Sequence, residues 1–282
     1  MSTENSTKRA PYSAGNLMYF LTNHTILVLV LTLFSLGGFF LGSVWTENRM
    51  LKKGVTAGTQ AAVAQPVAPT ATAITTDMVS SLFDEGVITF GKKDSKVTFV
   101  EFSDPSCPYC HIAAGKNPEL NNSAGAQFKL KADGGTYEPP VPEMKKLVDA
   151  GKAAFIWVYS PGHGNGELAT KALYCAQEKG KFWQVHDLLM NSKGYDLLNN
   201  TVKNDKAQAG TLAAFTKSAM KESDMKNCLE SGKYDDVISR DTAIATKFGV
   251  SGTPGFVVNT QLFPGAYSFV DMKSVVDTAL DS

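Results

Sequence analysis

The run Val97-Thr98-Phe99-Val100-Glu101-Phe102-Ser103 restricts the fold of this chain more than any other stretch. Successive side chains of a β-strand point to opposite faces, so a strand that is apolar on both faces except at Glu101 has no wet side. It belongs in the middle of a sheet with helices covering both faces. Ala153 to Ser160 (Ala-Ala-Phe-Ile-Trp-Val-Tyr-Ser) is a second run of the same kind. Helical patterns lie between and after the two, so the sequence predicts a layered α/β domain.

The first run leads through a short turn into Cys107-Pro108-Tyr109-Cys110-His111. Cys107 falls at a helix start, with Pro108 in the first-turn position that proline favours. Strand, Cys-x-x-Cys and helix in that order form the layout of a thiol-disulfide redox site. The competing reading is half of a zinc site, which needs two further ligands, usually a second closely spaced pair. His111, His163, His186 and the two isolated cysteines lack that spacing, so no metal and no bound cofactor are expected.

A thiolate attacks disulfides and a thiol does so poorly, so the setting of Cys107 matters most. A helix start offers unpaired N–H groups and a positive dipole end, both of which favour the anion. His111 is either a modest further influence on that charge or an exposed helix residue. Glu101 also asks for an explanation, because a buried carboxylate is costly unless paired or protonated. The alternative is a strand-end carboxylate facing water.

From Ala10 to Thr46 there is no Asp, Glu, Lys or Arg, and Thr25 to Trp45 supplies the roughly 20 apolar residues that cross a bilayer as a helix. A cleaved signal peptide would have a shorter core and a nearby small-x-small site, so an uncleaved anchor is expected. Lys8 and Arg9 before the helix nearly balance Arg49, Lys52 and Lys53 after it, so charge does not set the orientation. The expected plan is a polar segment over 1–23, a single transmembrane anchor over 24–46, a flexible linker over 47–76 and a folded domain over 77–282. Pro66 and Pro69 argue against a helix in the linker. Lys plus Arg and Asp plus Glu number 27 each with no basic stripe, which argues against a nucleic-acid partner.

Within the domain, Val87 to Phe90 reads as an outer strand. Residues 117–140, rich in Gly, Asn and Pro, read as a long loop or insertion, and Asn117-Pro118 interrupts the redox helix. Helices are expected over Pro142–Ala150, over Gly166–Lys179 with Asn165 as cap, and over Phe182–Met190. Others follow over Thr211–Lys221, over a segment capped by Ser223 that carries Cys228, and over Tyr234–Phe248. His186, beside Trp183 and Leu189, reads as a packed residue. Gly255–Asn259 and Gln261–Phe263 predict a hairpin, and Ser268 with Asp271 a capping box on the final helix.

These phrases together resemble the DsbA-like thiol-disulfide oxidoreductases, a branch of the thioredoxin-fold superfamily, and particularly their membrane-anchored bacterial type. The resemblance rests on Val97–Asp104 before Cys107-Pro108-Tyr109-Cys110, on Ala176–Trp183 with His186–Leu189, on Cys228–Tyr234, and on Phe248–Pro254. It covers roughly residues 84–280. It implies a thioredoxin-like α/β fold with a helical insertion at about 165–248, preceded here by the single transmembrane helix. It also implies an extracytoplasmic, membrane-tethered enzyme that introduces disulfides into exported proteins through Cys107 and Cys110.

Carried over residue by residue, Glu101 takes the proton of the resolving thiol, Cys110. Thr253 and Pro254 form a loop with a cis peptide bond facing the cysteines, and Thr253, Tyr109 and Pro108 meet the substrate. Tyr109 cannot place a positive charge between the cysteines, so a milder oxidant than the strongest members is expected. The implied partners are exported proteins with free thiols and a membrane quinone-linked oxidase. The same site run in reverse would be a reductase or isomerase, and a non-catalytic peptide-binding or chaperone module is the reading from another class. Cys175 and Cys228 are either a structural disulfide pinning the helical block, which an exported context favours, or two buried thiols. Two departures from the pattern stand out: the 117–140 segment, and Gly255, where a larger residue is common and whose presence suggests a looser backbone.

Overall fold

A computed structural model describes residues 73–282. The expected anchor over 24–46 and nearly all of the linker lie outside them. Among the described residues, no helix is long and apolar enough to cross a membrane.

Helix α1 (Thr76–Ser81) leads to β1 (Ile88–Phe90) and β2 (Val97–Ser103). Between β2 and β3 (Ala153–Tyr159) the chain forms α2 (Pro108–Ala114), α3 (Pro118–Ser123) and α4 (Pro140–Asp149). A helical block follows: α5 (Glu167–Glu178), α6 (Phe182–Leu189), α7 (Ser192–Asp196), a π-helical turn over Leu197–Val202, α8 (Ala209–Phe215) and α9 (Glu222–Glu230). Helix α10 (Val237–Lys247), the hairpin β4 (Gly255–Val258) and β5 (Gln261–Pro264), and α11 (Phe269–Asp281) complete the domain.

The five strands lie in the order β1-β3-β2-β4-β5, with β1 at an edge and β2 and β3 parallel in the interior. Every residue of β2 and β3 is buried. On one face Val100, Phe102, Ile156 and Val158 pack with Val79 of α1 and Ile244 and Phe248 at α10. On the other, Phe99, Phe155 and Trp157 pack with the helical block and with Met144 and Met272. Two covered faces explain why both runs read as apolar throughout.

Asp241 fastens α10 to the sheet. Its carboxylate accepts from the Tyr159 backbone N–H at 3.0 Å and from the Tyr174 hydroxyl at 2.8 Å, and Arg240 pairs with it at 2.7 Å. Asp241 itself is fully buried, so taking away these donors would leave a costly unpaired carboxylate.

Several boundaries differ from the sequence expectation. Asn117-Pro118 starts a helix: the Asn117 side chain caps α3 and Pro118 occupies its first position, while Gly115 in a left-handed conformation closes α2. Residues 117–140 are therefore a set of short helical turns. Asn165 does not cap α5, because its side chain donates to Asn199 instead. Ser223 does not cap α9, which begins at Glu222. Helix α8 stops at Phe215, where the Thr216 hydroxyl turns back to the Leu212 and Ala213 carbonyls. Gly255 is no loose point: it pairs with Phe102 on one side and Pro264 on the other, and an added Cβ would meet Val250 at 3.2 Å.

Candidate active site

Strand β2 delivers the chain to a turn built on Asp104. One oxygen of its buried carboxylate accepts from the Ser106 N–H at 2.8 Å and the Ser106 hydroxyl at 2.7 Å. The other accepts from the N–H groups of Gly162, His163 and Gly164, at 2.9, 2.8 and 3.4 Å. Five donors on one carboxylate tie the approach to the cysteines to the loop after β3. Asn199 adds a bond from its side-chain amide to the Ser106 carbonyl at 3.1 Å. Sequence reasoning missed Asp104 and Asn199. The signal for Asp104 was present in Asp-Pro-Ser, an aspartate two residues before a hydroxyl donor, as in an Asx turn.

Cys107 is the cap residue of α2, with Pro108 at the first helical position. Both Cys107 and Cys110 are thiols in this structure. The Cys107 sulfur lies 3.4 Å from the Thr253 carbonyl, to which its S–H donates, and the Thr253-Pro254 bond is cis. The Cys110 thiol, the Thr253 side chain and the N–H groups of Cys110 and Tyr109 draw the Cys107 thiol down to about 6 against the opposing effect of burial. Cys110 moves the other way: burial, and then the nearby Cys107 sulfur, push it well above the ordinary thiol range, although its sulfur accepts from the Asp104 N–H at 3.4 Å.

Glu101 is fully buried, so the water-facing alternative does not hold. Burial raises its pKa, with His186 working in the opposite direction, and no protein group lies within hydrogen-bond distance of either carboxylate oxygen. His111 is also buried, and this corrects its reading as an exposed helix residue. Its ring nitrogens lie 2.8 Å from the Met190 carbonyl and 2.8 Å from the Pro105 carbonyl, bracing α2 against the end of α6 and against the turn. Burial pulls the ring down to about 4, and the two carbonyls, to which only a doubly protonated ring donates at once, work in the opposite direction.

Tyr109 is 47% exposed, and its ring stands edge-on to Phe128 at 5.7 Å. The 117–140 segment thus supplies an aromatic neighbour to the rim of the cysteine pair. Pro108 is half-buried beside it. Across the site, Gly162 abuts Thr253: an added Cβ would lie 1.7 Å from the Thr253 hydroxyl oxygen. Cys175 on α5 and Cys228 on α9 are joined by a disulfide inside the helical block, away from the thiol pair. No cluster of metal-ligating side chains occurs among the described residues.

A family model described as Thioredoxin matches residues 141–278, just under half of the chain, beginning beyond Cys110. A Na(+)/H(+) antiporter from Salinispora tropica is 26% identical over 196 residues, which are 68% of this chain but only 24% of the antiporter. The chain spans about a quarter of the length of the first curated relatives it matches. Disulfide bond formation protein D of Bacillus subtilis is 22% identical over 203 residues, covering 70% of this chain and 78% of that protein. The crystal structure of oxidised BdbD from Bacillus subtilis matches 70% of this chain and 95% of its own, at 22% identity and a TM-score of 0.51. The chain carries a thioredoxin-like α/β domain whose relatives include disulfide oxidoreductases.

Proposed function

We propose that this protein is a membrane-tethered thiol-disulfide oxidoreductase that introduces disulfides into exported proteins. The observation that carries the reading is the asymmetry of the cysteine pair: Cys107, at a helix start and 3.4 Å from the Thr253 carbonyl, is drawn down to about 6, while the fully buried Cys110 is pushed up. A thiol titrating near 6 rather than at its ordinary 9 favours the reduced form at pH 7 by about 1.4 kcal/mol, or roughly 30 mV in a two-electron couple. That makes the disulfide the better oxidant.

In the reaction, a substrate thiolate attacks the Cys107 sulfur of the oxidised pair. The Cys107–Cys110 bond breaks, and Cys110 leaves as a thiolate and takes a proton from Glu101. A second substrate thiolate attacks the substrate sulfur of the mixed disulfide and expels Cys107 as a thiolate. The substrate has then lost two electrons, and the pair has gained them. Thr253 would pair with the substrate backbone, while Tyr109 and Pro108 line the rim. The apolar run Thr25–Trp45 would hold the domain at the membrane, where a quinone-linked partner restores the disulfide.

Equilibration of the Cys107/Cys110 pair against glutathione tests the reading, together with thiol titration of the reduced protein and oxidation of a reduced substrate protein. The expected result is a potential on the oxidising side of general reductants but short of the strongest oxidants, a Cys107 thiolate forming near pH 6 and no oxidation by Cys107→Ala. A potential as low as that of general reductants would assign the reverse direction, and full oxidation by Cys107→Ala would end the enzyme reading.

A further inference from the structure

The face of β2 that carries Glu101 holds a group of buried polar atoms with no hydrogen-bond partner in the protein. They are both carboxylate oxygens of Glu101, the Ser103 hydroxyl, the Trp157 indole nitrogen and Nε2 of His186. Their positions in the fold bring them together. Glu101 and Trp157 are register partners on β2 and β3, and Ser103 lies two residues along on the Glu101 face. The Phe182 ring lies 6.1 Å from Trp157 and stacks on His186 at 5.6 Å. Buried polar groups of native proteins are nearly all paired, with water where protein groups do not reach. Here the indole donor, the hydroxyl and three acceptor atoms match what one or two bridging waters would satisfy.

His186 also reaches outward. It is 1% exposed, yet its Nδ1 lies 3.2 Å from an Asp187 carboxylate oxygen, and the other Asp187 oxygen pairs with Lys116 at 2.5 Å near the surface. A carboxylate at Nδ1 fixes the N–H there and leaves Nε2 with a lone pair facing the interior. Burial pushes the Asp187 carboxyl up, but His186 and Lys116 outweigh it and hold it below its ordinary value, so it remains an anion able to steady an imidazolium.

We infer that Glu101, Ser103, Trp157 and His186 enclose a water-bridged proton relay that joins Cys110 to the Asp187–Lys116 pair at the surface, with His186 as the positioning residue that sets the protonation of Glu101. The inference rests on the reading of Glu101 as the acid-base group for Cys110. When Cys110 must attack, its S–H proton passes to the Glu101 carboxylate, giving a thiolate and a carboxylic acid. The acid then passes a proton through water to Nε2 of His186, and the Nδ1 proton leaves through Asp187 to solvent. A proton moved from Glu101 to His186 makes a buried ion pair from a neutral pair, with no change of net charge inside the protein. The groups that bear on the relay are Asp187 beside His186, Lys116 outside, His111 on α2 and the cysteines at the inner end.

The test is the pH profile of the step in which Cys110 resolves a Cys107 mixed disulfide, measured on the full chain loaded with glutathione at Cys107. Infrared difference spectra of the Glu101 carboxyl provide a second readout. Glu101→Gln removes the limb set by the carboxylate. His186→Asn withdraws the group that favours the carboxylate, so the limb and the pH at which the carboxyl band vanishes move up by roughly one unit, leaving the alkaline plateau unchanged. Asp187→Asn, at the surface and without consequence for core packing, moves both in the same direction by less. A limb lost in Glu101→Gln but unmoved in His186→Asn and Asp187→Asn overturns the relay and leaves the Glu101 reading standing. If His186→Asn does not fold, an unmoved limb in Asp187→Asn alone overturns it. A limb retained in Glu101→Gln overturns the Glu101 reading itself.

Discussion

Glu101 and the two cysteines illustrate how one environment sorts ionisable groups by their access to donors. Cys107 has the Cys110 thiol and then Thr253 and two N–H groups to favour its anion, whereas Cys110 and Glu101 lie deeper, where burial opposes charge. A carboxyl whose pKa is raised on folding binds more protons in the folded state than in the unfolded one, so it lowers stability as pH rises above the ordinary value of 4.5. In the oxidised protein, where neither Cys107 nor Cys110 titrates, Glu101→Gln should therefore gain stability relative to the parent as pH rises. The slope should approach about 1.4 kcal/mol per pH unit until the raised pKa is reached. Denaturant unfolding between acid and neutral pH reads this directly, and a difference that stays flat would show that Glu101 carries no such shift. The cysteine spacing and the lone acid were legible because each is a local anomaly. The depth of His111 was not, because its carbonyl partners come from Pro105 and, 79 residues away, Met190.

Among the elements, regular structure was read more accurately than the joints. Strand β2 spans the seven residues its apolar pattern marks out, and the capping box on α11 is present. Both depend on side chains within a few positions of each other. Asn165 and Ser223 are good cap residues by type, but tertiary partners or the preceding backbone take their places. The loop over residues 161–164 gains its importance only from what it touches: Asp104 holds its N–H groups and Thr253 fills the space beside Gly162. Gly162→Ala should displace Thr253, since the new methyl would sit 1.7 Å from its hydroxyl oxygen. The expected result is mixed-disulfide formation slowed by roughly tenfold, the scale of about 1.4 kcal/mol on the barrier, with the fold retained. Rapid-mixing kinetics would measure it, and an unchanged rate would mean that Thr253 has room to move.

For the molecule as a whole, the helical block is held by the Cys175–Cys228 disulfide, which closes a separation of 53 residues. In the chain-entropy model a loop of that size contributes about 4 kcal/mol, and distortion or residual structure reduces it in practice. A Cys175→Ala, Cys228→Ala double variant should lose roughly 2–4 kcal/mol in denaturant unfolding and keep the thiolate titration of Cys107, because the bridge lies away from that site. A lost titration would show that the block positions the redox helix as well as stabilising the domain. By itself the sequence determined the two-sided sheet, the strand–cysteine–helix order and most of the helix pattern. These follow from periodicities and spacings that neighbouring residues impose on one another. Only the tertiary structure decided that Asp104 gathers five donors, that His111 is buried between two carbonyls, and that Glu101 is buried with no hydrogen-bond partner in the protein. Those outcomes depend on segments tens of residues apart meeting in the dry interior, where an unpaired donor or acceptor is costly and the path of the chain alone sets who can pair with whom.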